Sequence, residues 1–178
     1  MTMPMSKRTL ILVRHAKAEK VVGKPDHDRE LAQRGRKDAH AVGEWLSGAL
    51  KAGVLLDMVL CSTSERTRQT LDEVCAGGVS GRETRFDERI YDGSAAGLIE
   101  VLREVPDTVH TVLMIGHAPG IPVLATVLAQ DGAGSTDAAE RLNQGFPTSG
   151  LAVLGFEGGW AELEPDTARL EEFVVPRG

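Results

Sequence analysis

The chain lacks an excess of positive charge, any long apolar run and more than a pair of cysteines, and each lack narrows what it can do. With 20 lysines and arginines against 26 aspartates and glutamates, the formal net charge is −6. That argues against general nucleic-acid binding, which needs a basic field, but leaves room for a local cationic pocket. No stretch is apolar for long enough to span a bilayer. The segment MTMPMSKRTLILV sets cations before aliphatic residues, yet its apolar run is too short for a secretory core. A cytoplasmic protein is the expectation, with neither membrane nor nucleic acid as partner. Its 2 cysteines, Cys61 in a predicted strand and Cys75 in a predicted helix, then read as reduced core thiols. No glycine-rich phosphate loop stands beside a strand, so nucleotide binding of that kind lacks support. Repeats, low-complexity tracts and an interdomain linker are missing too. What remains is an ordinary globular composition, 42% hydrophobic and 26% charged over 178 residues, which is the length of one domain with a substantial core.

Hydrophobic spacing alternates between the periods of strand and helix. TLILV (9–13) is a buried strand. Residues 33–52 place Ala39, Val42, Trp45, Leu46 and Leu50 at helical spacing. DMVLCS (57–62) is a second strand, and the helix after it, over 64–77, stops at Gly77 and Gly78. ETRFD (83–87) is a short strand, and Ser94 opens a helix over 94–105 as its N-cap. TVLMIG (111–116) is a third buried strand, followed by a helix over 119–130 entered through Pro119. A polar insertion at 131–145 holds a short helix near 137–142. LAVLGFEGGWAELE (151–164) reads as a hairpin turning at Gly158-Gly159, and RLEEFVV (169–175) as an edge strand. Strands alternating with helices predict a three-layer αβα domain with a mostly parallel central sheet, right-handed crossovers and antiparallel pairing at one edge.

Ligands of open α/β sheets sit outside the carboxyl ends of the strands. There the first strand ends in Arg14-His15, the second in CSTSERTRQT with Arg66, and the third in GHAPG with His117. Two arginines and two histidines therefore meet at one sheet edge. The planar guanidinium fork matches a phosphoryl group with two parallel bonds. Arg66 falls in the first turn of a helix that Ser62 or Ser64 can cap, so it points back toward the strand end, where the exposed amides also favour an anion. One histidine can serve as a nucleophile, provided it is neutral with its lone pair on the attacking nitrogen. Arg14 and Arg66 oppose its protonation, and a bond from its other nitrogen to a carbonyl fixes the tautomer. His117 can instead donate to a phosphoryl oxygen. The same arginines repel a metal cation, and no third ligand lies at suitable spacing from His15 and His117.

LVRHAKAE (12–19) resembles the Arg-His signature of the histidine phosphatase superfamily, which includes phosphoglycerate mutases and acid phosphatases. CSTSERTRQT (61–70) is similar to its Ser-Pro-x-x-Arg-Ala-x-Gln-Thr element, and MIGHAPG (114–120) to its Gly-His element. DHDRELAQRGRKDA (26–39) and FPTSGLAVL (146–154) resemble, more narrowly, the SixA-type protein phosphohistidine phosphatases. The resemblance implies a phosphoglycerate mutase-like fold without a large cap, and a phosphatase needing no metal or cofactor. It makes His15 the residue that becomes phosphorylated, Arg14 and Arg66 the phosphoryl clamp, and His117 the completion of the pocket, with Ser62 a further candidate for contact with substrate. Thr63 and Thr67 depart from the usual proline and alanine, and Ala16 from the usual glycine.

For the general acid, family spacing selects Asp92 in FDERIYDG (86–93), with Glu88 as the alternative. A phosphohistidine substrate weakens the need for an acid, because imidazole leaves more readily than an alkoxide. Only a strand, a loop and one helix fit between Arg66 and His117, which predicts a shallow site open to a phosphorylated side chain, unless 131–145 folds over it. The expected partner is a phosphorylated protein, such as a histidine-containing phosphotransfer domain. A small phosphorylated metabolite and a silent phosphate-binding module on the same fold are the rivals. Asp28, Arg29 and Arg34 are expected to hold the loop after His15 against the sheet. His27, His40 and His110 are expected to take no chemical part.

Overall fold

Four largely aliphatic runs, in the first, second, fourth and sixth strands, set the frame. Along β1 (Lys7–Arg14), Leu10 and Leu12 face one hydrophobic layer while Ile11 and Val13 face the other. The computed structural model describes residues 6–50 and 56–178. Within them follow α1 (Gln33–Ala49), β2 (Leu56–Cys61), α2 (Glu65–Ala76), β3 (Gly81–Phe86), α3 (Ala95–Arg103), β4 (Thr111–Gly116), α4 (Gly120–Leu128), β5 (Ala129–Gly134), α5 (Thr136–Gln144), β6 (Leu151–Glu157) and β7 (Ala168–Val174). The seven strands form one sheet in the order β3-β2-β4-β1-β6-β7-β5. Val42 and Leu46 of α1 and Leu71 and Val74 of α2 cover one face. Helices α3, α4 and α5 cover the other through Leu98, Leu102, Ile121, Leu124 and Ala138. The result is the expected three-layer αβα fold.

Alternation along β2 and β4 matches that of β1, because a strand buried on both faces needs apolar residues at every position. Helices α1 and α2 lie so close that a Cβ at Gly43 would overlap the Val74 carbonyl, and one at Gly77 the His40 carbonyl. Of the expected helix 33–52, residues 51–52 lie outside the described residues. Trp45 and Leu50 pack against the α1 layer only in part.

Three expectations change. The hairpin at 151–164 is absent: after Gly158 the chain enters a 3-10 turn at Trp160–Glu162, and β6 pairs antiparallel with β7 and with β1 instead. Trp160 explains the difference, since its ring is fully buried against Phe156 and its Nε1 donates to the Val109 carbonyl at 2.7 Å. Strand β7 does form, but β5 lies outside it as the parallel edge strand. Residues 131–145 thus divide between that edge, which β6 and β7 separate from β1, and α5, rather than lying over the strand ends. Cys75 is exposed on α2, so of the two cysteines only Cys61 is a core thiol. Burial pushes Cys61 up to about 12. Among the described residues, no helix is long and apolar enough to cross a membrane.

Candidate active site

The carboxyl ends of β2, β4 and β1 are neighbours in the sheet, and each delivers one of the polar segments. His15 follows β1 directly. Its backbone is fixed on three sides: its N–H donates to the Gly116 carbonyl at 2.9 Å, and its carbonyl accepts from Ser149 at 3.3 Å. The next amide, of Ala16, donates to Thr70 Oγ1 at 3.0 Å. Thr70 in turn donates to the Arg66 carbonyl at 2.6 Å, tying the histidine to the helix turn that carries the arginine. Ser149 adopts φ 62, a left-handed conformation costly for a residue with a Cβ, which aims its N–H at the carbonyls of both Arg14 and His15.

The imidazole of His15 is held in one tautomer. Nδ1 lies 2.8 Å from the Ala16 carbonyl. A carbonyl only accepts, so Nδ1 carries the proton and Nε2 the lone pair. Arg66 Nε donates to that Nε2 at 3.3 Å. Burial pushes the His15 pKa down to about 4, the Ala16 bond opposing and the charges of Arg66, Arg14 and Arg29 assisting. Desolvation, rather than the arginine charges expected from the sequence, is the larger cause.

His117 lies with its ring centroid 5.1 Å from that of His15. Its Nδ1 accepts from Arg66 Nη2 at 3.3 Å, which leaves Nε2–H to donate to Ser62 Oγ at 2.8 Å. Burial pushes its pKa down to about 3, helped by His15 and Arg66. Its Nδ1 must therefore gain a proton before it can donate to a phosphoryl oxygen, and a dianion beside it favours that gain.

Arg66, buried in the first turn of α2, is the hub. Nε and Nη2 face the two histidines, while Nη1 donates to the Asp26 carbonyl at 2.6 Å and Nη2 to Asp26 Oδ2 at 3.0 Å. Arg14 donates through Nη1 to the Phe146 carbonyl at 2.9 Å, and its Nε is buried without a partner. The structure thus brings His15, Arg66, His117 and Ser62 into one bonded cluster, with Arg14 adjoining. Asp92 and Glu88 are exposed, and no hydrogen bond or ion pair joins either to the cluster. No group of three or more His, Cys, Asp or Glu among the described residues is arranged to hold a metal ion.

Residues 10–126 match the family model of the histidine phosphatase superfamily, branch 1. The chain belongs to that superfamily. An uncharacterized protein of Mycobacterium tuberculosis is 44% identical over 165 residues, covering 93% of this chain and 100% of that one. A solved Nakamurella multipartitia structure, assigned as phosphohistidine phosphatase SixA, shares 37% identity at TM-score 0.83 over 97% of this chain and 98% of that one. A Haemophilus influenzae SixA homolog is 30% identical over 120 residues, covering 62% of this chain and 70% of that one. This histidine phosphatase is of SixA type.

Sequence reasoning missed several residues of this histidine phosphatase. Asp26, in the 3-10 turn Asp26–Asp28, meets Arg66, Arg29 and Tyr91. It is Asp26 and Arg29 that pin the loop after His15; among the described residues the Asp28 carboxylate pairs with the His27 ring and Arg34 with Asp38. Tyr91 packs edge-on against His117 at 5.3 Å and against His27 at 5.0 Å. His27 bonds Thr63 Oγ1 at 3.0 Å, a contact proline at position 63 would forfeit. Thr67, a second of the three departures, donates to the Ser62 carbonyl at 2.9 Å and meets Ser64 Oγ at 2.8 Å. Ser64 is the N-cap of α2, yet its hydroxyl turns to Thr67 rather than to the helix amides. The FPTSG stretch carried a signal without a role: Phe146, Ser149 and Gly150 all bond Arg14 or His15.

An NMR titration of the His15 ring, assigned against His15→Gln, is expected to give a midpoint near pH 4; a midpoint near 6.5 would contradict the burial described. The sign for stability follows from linkage. The unfolded chain takes up the His15 proton near the ordinary histidine pKa of about 6.5 and the folded chain only lower, so stability falls as pH drops through that interval.

Proposed function

We propose that this phosphatase removes the phosphoryl group from a protein phosphohistidine through a covalent intermediate on His15. The observation that carries the reading is the tautomer: Nδ1–H spent on the Ala16 carbonyl, and an unprotonated Nε2 beside the Arg66 guanidinium. In the first step the Nε2 lone pair attacks phosphorus. A bond from phosphorus to Nε2 forms as the bond to the substrate imidazole breaks, and the departing ring takes up a proton. Water then attacks phosphorus, the bond to Nε2 breaks, and inorganic phosphate leaves with His15 neutral again. Arg66 meets the charge on the equatorial oxygens with Nε and Nη2, His117 assists once protonated, and the unpartnered Arg14 Nε is a donor such a guest can satisfy. The reading assigns no metal to these steps.

The exposed positions of Asp92 and Glu88 favour a substrate whose leaving group needs little protonation. Between α2 and β4 the chain inserts only β3, a 3-10 turn and α3, which favours a site wide enough for a protein side chain. The SixA names of the relatives support the same substrate class. A histidine-containing phosphotransfer domain is the partner this reading selects, in the cytoplasm, where two unpaired cysteines are at home. The test compares kcat/KM on a phosphohistidine-bearing domain with that on p-nitrophenyl phosphate and alkyl phosphates. A general acid is worth roughly 100-fold or more for an alkoxide leaving group, so the alkyl phosphates are expected to lag by at least that factor, while p-nitrophenolate leaves without an acid and reports on the phosphoryl pocket alone. Equal or faster turnover of the alkyl phosphates would remove the phosphohistidine assignment.

A further inference from the structure

We infer that Asp26 is a positioning residue for the phosphoryl clamp, acting through Arg66 from the side of the guanidinium that faces away from the histidines. The inference rests on the proposed role of Arg66 in holding the phosphoryl group, and goes beyond it in saying what aims that group.

A guanidinium has two edges suited to paired acceptors. In Arg66 the Nε–Nη2 edge is turned to His15 Nε2 and His117 Nδ1, each at 3.3 Å. The Nη1–Nη2 edge is taken by one residue alone: the Asp26 carbonyl accepts from Nη1 at 2.6 Å and Oδ2 from Nη2 at 3.0 Å. Two acceptors on one edge fix both the position and the rotation of the plane. With that edge occupied, the only paired donors Arg66 has left for an incoming oxyanion are those beside the histidines. Asp26 is itself braced. Tyr91 donates its hydroxyl to Oδ2 at 2.6 Å, and Arg29 donates through Nη1 to Oδ1 at 3.0 Å while its Nε grips the Glu19 carbonyl at 2.9 Å. The three donors hold the carboxylate well below the usual carboxylate range, with the Tyr91 bond the largest contribution. The carboxylate is 54% exposed while Arg66 is 7% exposed. Solvent therefore screens the attraction between the charges, and the contribution of Asp26 is geometric more than Coulombic.

A rival account treats the same carboxylate as an anion that blocks the site and must be displaced by phosphate. The two accounts predict opposite signs for phosphate affinity when the carboxylate is removed. The experiment uses the full chain and inorganic phosphate as the probe. It measures the inhibition constant of phosphate, together with kcat and KM on p-nitrophenyl phosphate, for wild type, Asp26→Ala, Arg66→Lys and the double variant.

Misaiming a positioned group by about 1 Å can cost on the order of 100-fold, and the Asp26 carbonyl survives in the alanine variant. Asp26→Ala is therefore expected to weaken phosphate roughly 10-fold, within that bound. In the Arg66→Lys background, where no planar edge remains to aim, the same change is expected to have almost no effect. Asp26→Asn, which keeps an acceptor oxygen and the shape, should recover part of the loss at an unchanged melting temperature; it decides the matter if the alanine variant folds poorly. Unchanged or tighter phosphate binding in Asp26→Ala would overturn the inference, as would equal losses in both backgrounds. If Arg66→Lys itself leaves phosphate affinity intact, it is the clamp reading of Arg66 that fails.

Discussion

His15→Ala is expected to lower kcat/KM by at least about 10⁴-fold, the scale seen when a covalent nucleophile is removed from an enzyme whose binding groups stay in place. The backbone around the residue survives the change. Gly116, Ser149 and Thr70 hold main-chain atoms of positions 15 and 16 rather than the ring. What disappears is the His15 Nε2 lone pair that faces Arg66 Nε at 3.3 Å. Phosphate binding should persist at a reduced level, because Arg66 and Arg14 remain. Steady-state rates with a sensitive phosphate assay check the prediction; turnover within about tenfold of wild type would assign the nucleophile elsewhere.

Arg66→Ala is the second large effect. Removing one preorganised donor from a developing oxyanion costs roughly 10²- to 10³-fold. Arg66 supplies two toward the histidines, so a loss at the upper end of that range is expected, chiefly in kcat. The change also removes the partner of the Asp26 carbonyl and one of the three donors on its carboxylate, which keeps Tyr91 and Arg29. Because Asp26 is half exposed, water can replace the lost partner, and the fold should survive. Arg66→Lys keeps the charge but not the planar edge, and should recover only a minor part of the rate. A kinetic comparison of the three forms, with melting temperatures alongside, separates loss of the clamp from loss of structure. Full recovery by lysine would mean that charge alone matters.

The convergence of His15, Arg66 and His117 was legible because it depends on strong signals. The strands that precede them are apolar at nearly every position, and a parallel sheet sends the ends of such strands to one edge. The neighbours of these residues were not legible in the same way. Asp26 and Tyr91 are 65 positions apart, in loops where no period reports which side faces the site. The loop that carries the acid candidates is a second case. Family spacing selects Asp92, which is exposed, and gives no sign that the 3-10 turn at Glu88–Ile90 buries Ile90 and sets Tyr91 against His117. Strand β5 has the sequence AQDGAG, which carries no apolar alternation; its pairing with β7 makes it a strand. The 151–164 hairpin failed for a related reason, since Trp160 is more stably placed in the core than on a strand.

The most direct measurement is capture of the intermediate. Wild-type protein is mixed briefly with a phosphohistidine-bearing domain, quenched in base, digested, and its peptides are mapped by mass spectrometry, with His15→Ala run in parallel. The account predicts a phosphoryl group on the peptide containing His15, stable in base, lost in acid and absent from the variant. A phosphoryl group on another residue, or phosphate released with no labelled enzyme at any quench time while turnover proceeds, would contradict it.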